Sequence, residues 1–285
     1  MKVLNFGSLN IDNVYRLHHI VRPGETIAAS SNAVFAGGKG LNQSIALARA
    51  GAKVYHAGMI GKDGIFLKEL LEENGVDCSF LDISNEVPSG NALIQVAEDG
   101  ENSIVLFGGA NQAMKAEKAS QVLANFEVGD IAVLQNEISI TSEVIREAHK
   151  RGLKVFFNPA PMSRDVADFP LELVDTLIVN ETEMAELKKS RPQLDFCNLL
   201  LTLGSKGAVY YPKNGGQKIA VPACKVEKVV DTTGAGDTFI GYFTAELAKG
   251  LSVEICLAHA SAAAANSITK AGAAVSIPFI NELGF

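Results

Sequence analysis

No stretch of this chain gathers lysine or arginine into a run; its positive residues are scattered, never more than two together, in a sequence of net charge −7. That leaves no basic footprint for nucleic acid or an anionic membrane surface and favours small-molecule partners. Cysteine is scarce as well. Cys78, Cys197, Cys224 and Cys256 lie far apart with no C-x-x-C, a pattern of reduced cytosolic thiols and not of a zinc or disulfide framework. Long apolar runs are missing: the alanine-rich segment 255–268 is broken by His259, Ser261 and Asn266 and is too short to cross a bilayer. The opening MKVLNFGSLNID reaches a polar turn after about five residues, too soon for a signal peptide. Neither G-x-G-x-x-G nor G-x-x-x-x-G-K-[ST] occurs, which argues against a dinucleotide oxidoreductase and a P-loop enzyme. These absences predict a soluble, cytoplasmic protein without nucleic-acid or membrane partners.

What is present is a rhythm. Apolar runs at 3–6, 54–59, 131–134, 154–157, 176–179 and 199–203 alternate with helical patterns at 41–50, 66–74, 142–151, 181–189, 237–249 and 253–269. Near-continuous apolar strands alternating with helices predict a mainly parallel sheet covered on both faces, a three-layer α/β/α domain. The 285 residues suit one such domain spanning the chain. Two strand-like regions, 14–35 and 91–107, have no helix between their strands, and each adjoins a glycine-rich segment. They predict a small β-sheet standing over the main sheet as a lid, bounded at 13–36 and 89–108.

The chemistry concentrates in VVDTTGAGDTFIGYF, 229–243, where two carboxylates and two loop glycines precede an apolar helix pattern. The free N–H groups of a helix start favour an anion. An aspartate beside them, Asp237, makes sense if it faces a hydroxyl that must lose a proton while the amides hold the anion, which points to phosphoryl transfer. After the first strand, Asn10 and Asp12 share a face of an extended segment, suited to adjacent hydroxyls or to a simple Asx turn. In FAGGKGLNQ, Gly37, Gly38 and Gly40 bare the backbone while Lys39 and Asn42 supply donors. Glu137 follows the strand IAVLQ and is placed to accept from a hydroxyl or to sit solvated. Asn180 and Glu183 in NETE form either a capping pair or a water-mediated magnesium site. TLGSKG, with Thr202, Gly204, Ser205, Lys206 and Gly207, suits a nucleotide phosphate or a hairpin turn equally.

AGGKGLNQSIALARAGA and DTTGAGDTFIGYF resemble the two signatures of the ribokinase-like (phosphofructokinase-B type) carbohydrate kinases. The resemblance extends through GSLNID, RPGET, EDGEN, GGAN, NPAP, NETE, TLGSKG and TKAGAAVSIP over essentially the whole chain. It implies the ribokinase-like fold and a kinase using ATP, Mg2+ and K+. Asp237 would be the base, and the amides of Gly234, Ala235 and Gly236 the anion hole. Asn10, Asp12, Gly38, Lys39, Asn42 and Glu137 would bind the sugar, with Asp237 among them. Asn180, Thr202, Gly204, Ser205, Lys206, Gly207, Gly236 and Ser261 would contact ATP, with Glu183 positioning magnesium. Asp231, Thr233, Ser267, Lys270, Gly272 and Ser276 would hold potassium, mostly through backbone carbonyls. Ser261 stands where the family usually carries Asn or His, and segment 187–199 is shorter than usual. No arginine lies in 88–93, where phosphosugar kinases of the family carry basic groups, so a neutral sugar is expected, D-ribose first, phosphorylated on a primary hydroxyl. Fructose, another sugar or a nucleoside is the alternative acceptor. A silent sugar-binding regulator is the rival from another class, and the family's lid often pairs two copies into a homodimer.

Overall fold

The computed structural model describes residues 1–213 and 215–285. In chain order its strands and helices are β1 (Lys2–Phe6), β2 (Asn10–Leu17), β3 (Ser31–Gly37), α1 (Lys39–Arg49), β4 (Lys53–Gly61), α2 (Ile65–Glu73), β5 (Asp77–Ser84), β6 (Gly90–Ala97) and β7 (Asn102–Phe107). There follow α3 (Glu117–Leu123), β8 (Ile131–Gln135), α4 (Thr141–Lys150), β9 (Lys154–Asn158), β10 (Thr176–Asn180), α5 (Glu181–Ser190), β11 (Asn198–Thr202), β12 (Ala208–Tyr211), β13 (Ile219–Val221), α6 (Ala235–Ala248) and α7 (Val253–Ser267).

Among the described residues one sheet has nine strands, in the order β13-β12-β11-β10-β9-β8-β1-β4-β5. Its pairs are parallel from β5 to β11, and β12 and β13 add an antiparallel hairpin at one edge. Strand alternation sends side chains to two separate cores. Val3, Leu41, Ile45, Phe239, Phe243 and Leu257 meet on one side; Leu4, Phe6, Leu134, Ile145 and Phe157 meet on the other. This is the expected three-layer sandwich. The chain turns from β1 toward β4 and β5 and later builds outward from β8 in the opposite direction. Ligands in open α/β sheets collect beyond the carboxyl ends of strands at such a switch point.

The second sheet runs β3-β2-β6-β7. The two excursions join through a parallel pair, β2 with β6, in which Asn10 faces Gly90 and Asp12 faces Ala92. Its first strand begins at Asn10, three residues before the expected boundary of 13, so the expected polyol-binding pair forms the root of the small sheet. Strands β5, β12 and β13 and helix α3 go beyond the sequence expectation. Each is short or at an edge, where polar residues such as Asp77, Ser79 and Asp82 blur the pattern. The shorter segment after α5 leads directly into β11 through an irregular stretch.

Helices α1 and α6 carry the site, and they touch closely. A Cβ on Gly241 would lie 2.3 Å from the Ala46 Cβ and 2.9 Å from the Leu47 nitrogen, so only glycine lets the two axes approach this far.

Candidate active site

Asp237 occupies the first turn of α6, and only 8% of it is exposed. Gly234 at the N-cap is left-handed, with φ 74°, and no side chain caps the helix. A helix buried along most of its length thus presents its N-terminus uncapped. The amides there are not equivalent. The Ala235 N–H donates to the Thr232 carbonyl at 3.2 Å, whereas the Gly236 and Asp237 N–H groups have no acceptor among the described residues. The expected Ala235 donor is therefore engaged by its own turn in this conformation. Space beside Gly236 is open: a Cβ there would meet nothing within 4 Å.

Helix α1 supplies the partners of Asp237. The Asn42 amide donates to one carboxylate oxygen at 3.0 Å, and the Gln43 amide to the other at 2.9 Å. Asn42 Oδ1 is buried without a donor, an acceptor that a sugar hydroxyl would satisfy. The Lys39 ammonium is pushed up, first by the charge of Asp237 and further by Glu137 and Glu183, against the effect of burial. One cation thus feels the expected base, sugar-site and magnesium-site carboxylates together.

Glu137, just past β8, accepts from the Ser8 hydroxyl and from the Lys39 N–H at 3.0 Å. Burial raises its carboxyl above the usual range, with Lys39 opposing. Asp12 is pushed up to about 6, by burial and then by the charge of Glu137. A Cβ on Gly37 would lie 2.0 Å from the Asp12 carboxylate, so bare backbone makes room for that side chain. Asn10 Oδ1 accepts from Asn111 Nδ2 at 2.8 Å, and Asn111 also binds the Leu9 backbone through its carbonyl oxygen at 3.1 Å and its amide at 3.2 Å. Gly38, at φ 93°, packs against Ser8 and Asn10 backbone. The structure therefore brings Asn10, Asp12, Gly38, Lys39, Asn42, Glu137 and Asp237 to the root of the small sheet. Gln43, Ser8 and Asn111 belong to the same constellation and were not singled out from sequence.

Asn180 and Glu183 form a reciprocal capping box: Asn180 Oδ1 accepts from the Glu183 N–H at 2.8 Å, and Glu183 Oε2 from the Asn180 N–H at 2.9 Å. The other Glu183 oxygen has no hydrogen-bond donor among the described residues. Gly204–Lys206 is the turn of a hairpin linking β11 to antiparallel β12. Ser205 is exposed at its tip, and Lys206 reaches Glu181 at 3.2 Å. Thr202 Oγ1 donates to the Val179 carbonyl at 3.4 Å. Gly207, at φ 102°, would drive a Cβ to 2.0 Å from the Val221 carbonyl. Ser261 is buried, its hydroxyl donating to the Pro222 carbonyl and accepting from the Cys224 N–H, both at 3.2 Å. It pins segment 222–224 instead of opening toward a ligand. Beside it lies a groove of about 530 Å³ lined by Cys224, Lys225, Val226, Ala262, Ala265 and Asn266, among others.

Asp231 clamps two distant segments. Its Oδ1 accepts from the Thr233 N–H at 2.9 Å and hydroxyl at 2.7 Å, and its Oδ2 from the Gly272 N–H at 2.9 Å. Burial alone would raise this carboxyl; the three donors outweigh it and hold it below its usual value. The side chains of Ser267 and Ser276 donate to the Ala264 and Ala273 carbonyls, and Lys270 points to Glu282 at 4.0 Å. Within this expected cation group the engaged side chains leave backbone oxygens as the contribution of the terminal segment.

Comparison with known proteins fits this geometry. A family model described as pfkB family carbohydrate kinase matches residues 1–280. A ribokinase from Haemophilus influenzae is 34% identical over 294 residues, covering 97% of this chain and 95% of its own. A ribokinase structure from Cryptococcus neoformans in complex with ADP superposes with a TM-score of 0.88 at 36% identity, covering 99% of this chain and 98% of that one. The Arabidopsis thaliana ribokinase complexed with ribose and ATP gives a TM-score of 0.86 at 30% identity, covering 99% and 98%.

Proposed function

Since this chain belongs to the pfkB family of carbohydrate kinases, we propose that it transfers the γ-phosphoryl group of ATP to the primary hydroxyl of D-ribose, giving D-ribose 5-phosphate. The observation that carries the reading is the setting of Asp237. Its carboxylate lies against Asn42 and Gln43 at an uncapped helix start, with the charge of Lys39 nearby. A base needs to reach the acceptor hydroxyl, and the developing charge needs donors fixed in advance. The N–H groups of Gly234 and Gly236, with that of Asp237 beside them, are those donors, none of them having an acceptor among the described residues, and the left-handed turn at Gly234 sets their direction. The loop around Ala235 contributes its amide if the bond to Thr232 opens. Phosphoryl transfer then depends on positioning and charge stabilisation. Asn10, Asp12, Asn42 and Glu137 receive the ring hydroxyls. Apart from Lys39 the sugar site offers little positive charge for a second phosphate. ATP lies along Asn180 and the turn at 202–207, with its base in the groove beside Ser261.

Magnesium would draw on Glu183 through water, since one half-buried carboxylate with a spare oxygen suits an ion that retains solvent and phosphate ligands; it would supply charge neutralisation on the phosphates. Potassium would be held by Asp231, Thr233 and carbonyls of the terminal segment, where the clamp keeps one carboxylate ionised between two loops. The small sheet acts as a lid, and its apolar surface pairs with that of a second copy.

ATP consumption across ribose, deoxyribose, fructose, nucleosides and sugar phosphates tests the reading. Ribose should lead in kcat/KM by about tenfold or more, because a site built for particular hydroxyls is left with unpaired groups by analogues lacking them. A nucleoside or phosphosugar in first place would reassign the substrate. Ribose binding without turnover of any acceptor would instead favour a silent sugar-binding protein.

A further inference from the structure

Behind Asp237 the buried carboxamides form one directed chain. A carboxamide has a donor end and an acceptor end, assigned from its partners. Here two backbone carbonyls, which only accept, decide. Asn5 Nδ2 donates to the Gly40 carbonyl at 2.8 Å and to Ser44 Oγ at 2.9 Å. Asn5 Oδ1 is thereby turned to accept from Gln135 Nε2 at 2.9 Å. The same Gln135 nitrogen donates to Gln43 Oε1 at 2.7 Å. Gln43 is left presenting its NH2 group to Asp237 at 2.9 Å and, more distantly, to Asn158 Oδ1 at 3.5 Å. Asn158 is fixed in turn by donating to the Ile178 carbonyl at 3.0 Å. All four amides are buried. Gly7 has to be glycine beside them, since a Cβ there would lie 2.3 Å from Gln135 Oε1.

We infer that Gln43 is a positioning residue for phosphoryl transfer: it holds Oδ1 of Asp237 so that Oδ2, which Asn42 also contacts, faces the acceptor hydroxyl. The inference rests on Asp237 being the base. Gln43 reaches the reaction only through that carboxylate, and its orientation is inherited from Gln135, Asn5 and Asn158. A network built only to satisfy buried polar groups has no need to end on a carboxylate. Here every amide nitrogen of the chain is engaged, while Gln135 Oε1 has no donor among the described residues. The orientation is therefore set by the donor ends, which buried hydrogen bonds hold in one geometry.

Gln43→Met keeps the length of the side chain and removes the donor. A displacement of about 1 Å at a catalytic group costs on the order of 10²-fold, so kcat should fall roughly 10- to 100-fold. The KM values for ribose and ATP should stay within about twofold, because Gln43 contacts neither substrate. Gln135→Met should act in the same direction but less strongly, and the double variant should be no worse than Gln43→Met, as expected for residues acting in series. Turnover is counted per ribose-binding site, titrated calorimetrically, so loss of folded protein is not mistaken for loss of positioning. Turnover per site within twofold of the parent for Gln43→Met, while Asp237→Asn is inactive, overturns this inference alone. If Gln43→Met does not fold, an unchanged kcat in Gln135→Met overturns it equally. Full turnover by Asp237→Asn overturns both this inference and the reading of the base.

Discussion

Asp12 shows how a single residue couples the site to pH. Its carboxyl is pushed up to about 6 by burial and by Glu137, whose own carboxyl is raised in the same direction. Between the ordinary carboxylate range and pH 6 the folded chain holds a proton at Asp12 that the unfolded chain has lost. Its contribution to stability is therefore complete below the unfolded value and declines as pH rises through 6. Ribose binding has the opposite preference, since an ionised carboxylate accepts from two hydroxyls. The ribose KM should rise as pH falls below 6, by about tenfold per unit in the limit, while the ATP KM changes little. Asp12→Asn should flatten that rise; if Glu137→Gln flattens it and Asp12→Asn does not, Glu137 is the titrating group. At this scale the loop residues were legible because a carboxylate or amide beside glycines stands out. Asn5, Gln43 and Gln135 were not, because each sits in an apolar strand or a buried helix, where local pattern reports burial and not partners. The signal was faint but present: Asn42, Gln43 and Ser44 form a polar run within a helix buried from Gly40 to Leu47.

At the scale of elements, the sequence showed that a glycine-rich loop precedes α6. It did not show that one loop amide is already engaged, since that depends on how the turn closes on Thr232. Nor did periodicity anticipate the hairpin of β12 and β13, because a strand leaving a parallel sheet at its edge need not be uniformly apolar. The loop before α6 is tied to the distant terminal segment by Asp231, which grips Gly272, and Gly234 packs on Ala273, where an added Cβ would meet the Ala273 Cβ at 3.0 Å. A cation held between these segments would stiffen the loop that aims the donors. One misaligned donor in such a hole costs roughly 3–4 kcal/mol, so potassium should activate and a large organic cation should not. Equal kcat in potassium, sodium and tetramethylammonium, with contaminating potassium removed, would show that the Asp231 clamp suffices without a bound cation.

For the whole molecule, the unexplained surface is the small sheet. Register puts Phe35, Ala92, Ile94, Ile104 and Leu106 on the face of Asp12, and Val34, Leu93, Val105 and Phe107 on the opposite face. The first face would have a use over the sugar if the sheet is the lid proposed above. The second has none within one copy of the chain, yet its four residues are 40–61% exposed. Contiguous exposed apolar surface of this kind marks an interaction site, and β3 and β7 are sheet edges free to meet another copy. Pairing through this face would also restrain the lid over the sugar, making assembly and turnover interdependent. Val105→Asp should therefore yield a monomer by light scattering under conditions where the parent is a dimer, because a carboxylate cannot be buried cheaply in an apolar interface. The variant should raise the ribose KM more than the ATP KM, since the proposed lid would cover only the sugar. Ile104→Asp, on the sugar face, should raise the ribose KM without dissociating the dimer. A parent that is monomeric at tens of micromolar, or a Val105→Asp variant that remains dimeric, would remove the second copy as the occupant of this face.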